Sequence, residues 1–179
     1  MRRHILLFAF LALACVVAAC DDNNTVTSPS PDSPSPGSTS TYAATLLPAN
    51  EVPPVTGSEA SGSGTATLTF NLTKDAGGNI TTATLDVTVN ATGFPPGTAL
   101  TASHIHPGDS GVNGGVLVPL GLTAGEVTFP NGSGSFTKRG ITVTTDQAKA
   151  ILANPGAFYL NIHTATNPNG VARGQLRVQ

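Results

Sequence analysis

The sequence predicts an all-β protein, an antiparallel β-sandwich of about eight strands with one short connector helix. Three observations lead to this prediction. Apolar residues alternate with threonines over several short segments, 20 Gly and 14 Pro residues separate those segments, and one segment alone has the boundaries of a helix. Because hydrophobic residues make up 39% of the chain and charged residues 10%, we expect one folded module with a single core.

The alternation is clearest in two consecutive segments. In residues 64–72 apolar side chains face one way and threonines the other, and residues 80–90 repeat this pattern after a glycine-rich turn. We therefore expect these two strands to pair as a hairpin. Further strand-like runs follow at 100–106, 116–120, 126–129, 134–137, 158–164 and 171–178.

The connector helix is predicted at residues 146–154. Thr144 and Thr145 precede it as candidate N-caps, and Asn154-Pro155-Gly156 ends it.

The last two strand-like runs are expected to form a hairpin around the turn Asn167-Pro168-Asn169-Gly170. The expected register pairs Ile162 with Leu176 and His163 with Gln175. Apolar side chains then share one face, because side chains alternate along a strand. The opposite face carries His163, Asn161, Gln175 and Arg177.

The N-terminus has the pattern of a secretory signal peptide, in which a basic start precedes an apolar run that ends in small residues. Val17-Ala18-Ala19-Cys20 resembles the lipobox of bacterial lipoproteins, whose cysteine is acylated. The alternative is an ordinary secretory signal with an incidental cysteine. We expect residues 1–19 to be removed and the protein to be exported and held in the bacterial cell envelope, on its periplasmic or surface side, by a lipid on Cys20.

Residues 20–41 are rich in Pro and Ser and almost without apolar residues, which is typical of an extended tether, so we expect the folded module at 42–179. Cys15 and Cys20 both precede this module, which excludes disulfides and thiol catalysis within it. The balance of 8 basic and 10 acidic residues excludes a polybasic surface and a nucleic-acid partner. We expect membrane contact only through the lipid, with a protein or polysaccharide as the partner.

Three histidines form the candidate site of the module. His104 and His106 stand two residues apart, so both rings point the same way if this segment is a strand. His163 occupies an outward position of a later strand-like run. If the two strands are neighbours, three imidazoles gather on one outward polar face, which suits Zn²⁺ or Cu²⁺. A polar network that only fixes the sheet fits the same pattern, and both interpretations stay open.

Two charged residues accompany the histidines. Glu51 precedes the rigid Val52-Pro53-Pro54 segment and is an auxiliary candidate, as a fourth ligand, a partner of an imidazole or a surface charge. We expect Arg173 to be a structural tie that pairs with a carboxylate or donates to loop carbonyls. The sequence contains no paired carboxylates, phosphate-binding loop or activated nucleophile, so we predict no catalytic residues and favour binding over catalysis.

Several motifs occur in an order that identifies a family. They are NEVPPV at 50–55, SHIHPG at 103–108, GVNG at 111–114, YLNIHTA at 159–165 and NPNGVARGQL at 167–176. On these motifs the chain resembles the CHRD domain, which is named for repeats in chordin and is also found in bacterial secreted proteins. The resemblance implies an extracellular all-β module whose biochemical role is poorly defined.

His104-Ile105-His106 is also similar to the first copper-ligand segment of Cu/Zn superoxide dismutase, itself a β-sandwich. The module lacks the further histidines and the cysteines of that enzyme, so we do not expect dismutation. The fold is accordingly expected to be immunoglobulin-like or superoxide-dismutase-like. We expect a binding module with copper or zinc as the candidate metal. The alternatives are a mononuclear redox metalloenzyme that uses the same histidines and a purely structural or adhesive surface module.

Overall fold

The structure is a computed structural model that describes residues 35–179, with side chains from residue 37 onward. The predicted signal peptide, the anchor Cys20 and the first part of the predicted linker lie outside the described residues. The strands are β1 (Ser35–Leu46), β2 (Ser63–Lys74), β3 (Ile80–Thr92), β4 (Thr98–Pro107), β5 (Val118–Pro119), β6 (Thr128–Phe129), β7 (Gly134–Val143), β8 (Phe158–Thr164), β9 (Ala172–Gln175) and β10 (Arg177–Val178). One α-helix, α1 (Thr145–Ala153), and short 3₁₀ turns at Pro48–Asn50, Ser58–Ser61 and Pro155–Ala157 complete the described elements.

The strands form two antiparallel sheets, which confirms the all-β sandwich prediction. One sheet has the order β10-β1-β2-β3-β7, and the other has the order β5-β4-β8-β9 with β6 paired to β4. A single core of buried apolar side chains lies between them, with Leu68, Phe70, Leu85, Ile105 and Leu160 among the residues that are fully buried. Burial of this apolar surface is the main force that holds the two sheets together.

The hairpin predicted from residues 64–72 and 80–90 is confirmed as β2 and β3, with Phe70 opposite Leu85. β1 pairs with the other edge of β2 from Ser35 onward, so residues 35–41, assigned above to the linker, belong to the sheet. Residues 38–41 are hydroxyl-bearing and carry no apolar alternation. This part of β1 is held by backbone pairing to β2, a contact that a hydrophobic pattern does not reveal.

The predicted connector helix is confirmed as α1, shifted by one residue. Thr144 is its N-cap: the Thr144 hydroxyl accepts from the Gln147 backbone N–H, and the Gln147 side chain accepts in return from the Thr144 backbone N–H. Ala148 and Ile151 bury the inner side of the helix. Across residues 35–179 no helix is long and apolar enough to cross a lipid bilayer.

The predicted register of the last hairpin is wrong by four residues. Ile162 lies opposite Ala172 and Asn161 opposite Arg173. The predicted turn forms, with the Gly170 N–H donating to the Asn167 carbonyl at 3.2 Å, but residues 163–166 before it pair with no residue of β9. The buried carboxylate of Glu59 accepts from the Thr164 hydroxyl at 2.8 Å and the Asn167 amide at 2.6 Å, and so holds this loop open. A slip of four residues keeps every side chain on its face, so face alternation could not reveal it.

The predicted strand 171–178 is two strands in different sheets. β9 pairs with β8, and the chain then crosses at the buried Leu176 to β10, which pairs with β1. A further antiparallel bridge joins Leu47, just after β1, to Arg173. Arg177 therefore lies in the other sheet. The residue opposite Asn161 is Arg173, where the predicted register had Arg177.

Candidate metal site

The histidines lie on adjacent strands. β4 and β8 are antiparallel neighbours, with His104 opposite Asn161 and Ala102 opposite His163. Ile105 and Ile162 point into the core from these strands, so the histidines stand on the opposite face. The condition on which the predicted cluster depended is therefore met.

The polar face of this sheet is covered, contrary to the outward surface expected from the sequence. His106 is 6% exposed and His163 is 7% exposed, and every residue of β8 is buried. The loop after β4, the segment around Glu51 and the turn after β8 pack over the sheet, as the contacts given below show. His104 is the one ring of the three that keeps partial access to solvent.

The three imidazoles are close enough to share one ion. One nitrogen from each of His104, His106 and His163 can be chosen so that all three lie within 4.8 Å of one another. The shortest separation, 3.0 Å, joins His104 Nδ1 to His163 Nε2. The His104 ring centroid lies 5.5 Å from that of His106 and 4.8 Å from that of His163.

Backbone carbonyls fix the tautomers of the two buried rings. His106 Nδ1 lies 3.0 Å from the Gly114 carbonyl oxygen, and His163 Nδ1 lies 2.9 Å from the Pro168 carbonyl oxygen. Because a carbonyl oxygen only accepts, each Nδ1 carries the proton and donates it. The lone pair of each neutral ring is then on Nε2, as in metal sites where the outer nitrogen is held by a second hydrogen bond.

The inner nitrogens of the two buried rings differ in their surroundings. His106 Nε2 is buried and has no hydrogen-bond partner among the described residues. His163 Nε2 lies 3.0 Å from His104 Nδ1 and 2.9 Å from Asn161 Oδ1. An unsatisfied buried nitrogen of this kind costs about 1–3 kcal/mol, so a ligand for the lone pair would stabilise the site.

Burial keeps the imidazoles in the neutral form that ligates metals. Removal from water, reinforced by repulsion from His163 and His106, lowers the pKa of His104 to about 4. Burial likewise lowers the pKa of His163, against the opposing effect of its hydrogen bond to Pro168. Both rings are therefore neutral at pH 7, which is the form in which an imidazole can bind a cation.

Tyr159 forms one wall of the site. The His106 ring stacks on the Tyr159 ring at 5.0 Å between centroids, and the guanidinium carbon of Arg173 lies 4.5 Å from the centroid of the same tyrosine ring. The Gly114 N–H donates to the Tyr159 hydroxyl at 3.3 Å. The loop that holds His106 Nδ1 is thus also fastened to the tyrosine beside the ring.

Arg173 is the structural tie expected from the sequence. It is 2% exposed, and its guanidinium donates to the Asn50 carbonyl at 2.6 Å, to Asn113 Oδ1 at 2.8 Å and to the Val112 carbonyl at 3.3 Å. It therefore joins β9 to both covering loops. Asn113 in turn donates to the Val52 carbonyl at 2.8 Å, which links the two loops to each other.

Glu51 lies beside Arg173 and outside the group of nitrogens that approach one another. Its Oε2 is 4.0 Å from Arg173 Nε, its Oε1 is buried with no hydrogen-bond partner in the described part of the chain, and burial raises its pKa to about 7 against the effect of Arg173. Gly170, at φ 136°, packs against the carboxylate: a Cβ added there would lie 2.6–2.7 Å from its atoms. Only glycine fits at this position.

Sequence reasoning did not find Tyr159, Gly114, Pro168 or Glu59. Gly114 and Pro168 act through backbone carbonyls, which no side-chain motif identifies. A Cβ added at Gly114 would collide with the Pro107 carbonyl, so this position requires glycine. The glycine was the one sequence signal that could have indicated a close backbone approach there. Tyr159 sits two residues before Asn161 on the histidine face of β8, where strand alternation could have placed it.

Three imidazoles whose nitrogens lie within 4.8 Å of one another are a suitable donor set for Zn²⁺ or Cu²⁺. The site meets the chemical requirements for such an ion: ligand nitrogens on rigid strands, outer nitrogens fixed by carbonyls, and an unsatisfied inner nitrogen. Four buried side-chain polar atoms in residues 37–179 have no hydrogen-bond partner. One of them belongs to His106, and two belong to Glu51 and Arg173, which lie beside each other next to the site.

The protein-family model of the CHRD domain matches residues 42–176 of the chain. No curated protein matches the chain, and no solved structure matches it.

Proposed function

The chain belongs to the CHRD-domain family, and we propose that it is an exported, lipid-anchored binding module of the bacterial cell envelope that holds one transition-metal ion on His104, His106 and His163. The observation that carries the metal proposal is the inner nitrogen of His106. Its outer nitrogen is committed to the Gly114 carbonyl, and its buried Nε2 has no hydrogen-bond partner among the described residues. A metal ion would satisfy that lone pair together with those of the two neighbouring rings.

Copper and zinc are the metals that the donor set favours. Imidazole nitrogen suits both ions, whereas Mg²⁺ and Ca²⁺ prefer carboxylate and carbonyl oxygen. The carboxylate of Glu51 is held by its contacts with Arg173 and Gly170. We therefore assign the ligand role to the histidines and a supporting role to Glu51.

Export and anchoring rest on the sequence. The basic start, the apolar run and the Val17-Ala18-Ala19-Cys20 motif support removal of residues 1–19 and acylation of Cys20. A Pro/Ser segment follows Cys20 and would hold the domain away from the bilayer as a tether. We propose that the lipid is the membrane contact and that a protein or polysaccharide of the envelope is the partner, with no nucleic-acid partner.

Metal content tests the site. The purified full chain is incubated with Zn²⁺ or Cu²⁺, freed of unbound ion and measured by elemental mass spectrometry. We expect about one ion per chain, and none in the triple variant His104→Ala/His106→Ala/His163→Ala. Asp109→Asn, which removes an exposed carboxylate from the covering loop, is the matched control and should retain the ion. Equal metal content in wild type and triple variant would refute the proposal, and a metal-free wild type would mean that the histidines are structural.

Labelling with an alkyne fatty acid in a bacterial host tests the anchor. Wild type should carry the label and sediment with membranes, whereas Cys20→Ser should carry none and be released by osmotic shock or into the medium. Cys15→Ser, which removes the cysteine inside the apolar run, is the control and should label like wild type. An unlabelled wild type would leave an ordinary secretory signal as the correct interpretation.

A further inference from the structure

Asn161 lies at the centre of the three imidazoles, on the same strand as His163. We propose that its amide oxygen is the fourth donor, so that the site is a closed centre of three histidines and one asparagine with no position left for an outside ligand. This inference rests on the proposed metal binding and goes beyond it, because it distinguishes a structural metal site from a catalytic one.

The position of Asn161 is set by the sheet. It sits in the middle of β8, opposite His104 on β4 and opposite Arg173 on β9, and it is 1% exposed. Its side chain stands on the covered histidine face and has almost no access to solvent. The amide is therefore held on the histidine face by the same backbone pairing that places the rings.

The contact between Asn161 and His163 brings two acceptors together. His163 Nδ1 donates to the Pro168 carbonyl, so the neutral ring carries a lone pair on Nε2, and that lone pair faces Asn161 Oδ1 at 2.9 Å. Two lone pairs at this distance repel each other unless a positive charge lies between or beside them. A metal ion bound by His163 Nε2 and Asn161 Oδ1 together would remove this repulsion.

The same ion would meet all four donors. His104 Nδ1 and Asn161 Oδ1 both lie within 3.0 Å of His163 Nε2, and His106 Nε2 is the unsatisfied nitrogen of the cluster. Four protein donors are typical of structural zinc sites, whereas catalytic sites have three and keep one position for water or substrate. A closed centre predicts retention of the ion and no ligand exchange at it.

Azide binding to Co²⁺ distinguishes a closed from an open centre, because exchange of a ligand changes the visible absorption of Co²⁺. The purified full chain is loaded with Co²⁺ and titrated with azide. We expect the wild-type spectrum to stay unchanged. Asn161→Ala should bind Co²⁺ on the order of tenfold more weakly or worse and respond to azide, because water occupies the vacated position. Asn90→Ala, an exposed amide on β3, is the matched control and should behave as wild type.

Asn161→Asp keeps an oxygen at the same place and adds a negative charge, so it should bind Co²⁺ at least as tightly as wild type and remain insensitive to azide. If Asn161→Ala does not fold, the Co²⁺ affinity and azide response of Asn161→Asp still test the fourth-donor proposal. An azide response in the wild type, or a Co²⁺ affinity that neither substitution changes, would overturn the fourth-donor proposal while leaving metal binding intact. Absence of Co²⁺ from the wild type and from Asn161→Asp would overturn both proposals.

Discussion

The ring of His106 lies almost parallel to the ring of Tyr159, with an interplanar angle of 6° and 5.0 Å between the ring centroids. The two residues are cross-strand partners on β4 and β8, so the stack is built into the register of the sheet. Stacking fixes the plane of the imidazole, and the Gly114 carbonyl fixes its rotation through Nδ1. Together these contacts fix the orientation of the His106 ring before any ion is bound.

Replacement of Tyr159 should weaken metal binding without removing a ligand. We expect Tyr159→Leu to lower the affinity for Zn²⁺ on the order of tenfold, as loss of a residue that supports a ligand commonly does. Tyr159→Phe keeps the stack and loses only the acceptor for the Gly114 N–H, so its affinity should stay near wild type. Competition with a chromophoric chelator measures both variants. Equal losses in the two would show that the hydroxyl, and not the stack, positions His106.

Metal should stay bound at an unusually low pH for a histidine site. Protons compete with the metal for imidazole nitrogen, and an unperturbed histidine takes up a proton near pH 6.5. Because the pKa of His104 is lowered to about 4 and that of His163 is also lowered, protons compete for these two rings only at a lower pH than for an ordinary histidine. We expect dialysis against buffers of decreasing pH to leave most of the Zn²⁺ bound at pH 5.5. Half-release close to pH 6.5 would contradict the prediction.

Glu51 should make the metal-free protein less stable as the pH rises. Its pKa is about 7 in the folded state and near 4.5 in the unfolded chain, so between these values the folded state binds more protons. The contribution of Glu51 to the free energy of unfolding is therefore fully present below pH 4.5 and is lost as the pH rises through 7, by up to about 3 kcal/mol.

Urea unfolding at pH 5 and pH 8 measures this contribution. The decrease in stability from pH 5 to pH 8 should be smaller in Glu51→Gln than in wild type, because glutamine does not ionise. The two histidines with lowered pKa have the opposite effect, because their contribution to the free energy of unfolding is lost as the pH falls below about 6.5. This effect is the same in wild type and in Glu51→Gln. Asp109→Asn is the control for an exposed carboxylate. If Glu51→Gln had the same pH dependence as wild type, the carboxylate would be ionised in the folded state at both pH values.

Arg173 should be far more sensitive to substitution than Arg177. Arg173→Lys cannot reach the Asn50, Val112 and Asn113 oxygens at once and leaves buried polar groups unpaired, so we expect a loss of about 3 kcal/mol or more in the free energy of unfolding. Arg177→Lys changes an exposed side chain with one hydrogen bond, to Thr45, and should cost less than about 0.5 kcal/mol. Urea denaturation compares the two, and similar losses would show that Arg173 does not tie the loops together.

Local sequence was sufficient to predict most of the strands, including the β2–β3 hairpin and the approximate bounds of α1. Those elements have an alternating face or a cap within a few residues of one another, so their signals are short-range. Alternation was also sufficient to place each of the three histidines on the polar side of its strand, whereas the pairing of β4 with β8, which brings His163 to the other two, is a long-range contact that the structure supplied. The family match to residues 42–176 agrees with the resemblance that the motifs showed.

The structure differs from the sequence-based prediction where residues distant in the sequence interact. Glu59 controls the loop after β8 from more than a hundred positions away, which set a register that the local turn motif did not predict. The burial of His106 and His163 depends on loops that Arg173 fastens through backbone carbonyls. Such contacts have no signature in residue type, so the sequence predicted an open face where the structure has a covered one.

The pairing of the first and last strands has a consequence for the order in which the protein is made. Tyr42 of β1 pairs with Val178 of β10, and Arg173, which closes both loops over the histidines, comes only a few residues earlier. Contacts so distant along the chain form slowly and late. A chain synthesised only as far as His163 lacks Arg173 and β10. Assembly of the covered site therefore waits for residues that follow the last of the three histidines, and a premature stop codon just before Arg173 would leave His104, His106 and His163 in place without the side chain that fastens both loops.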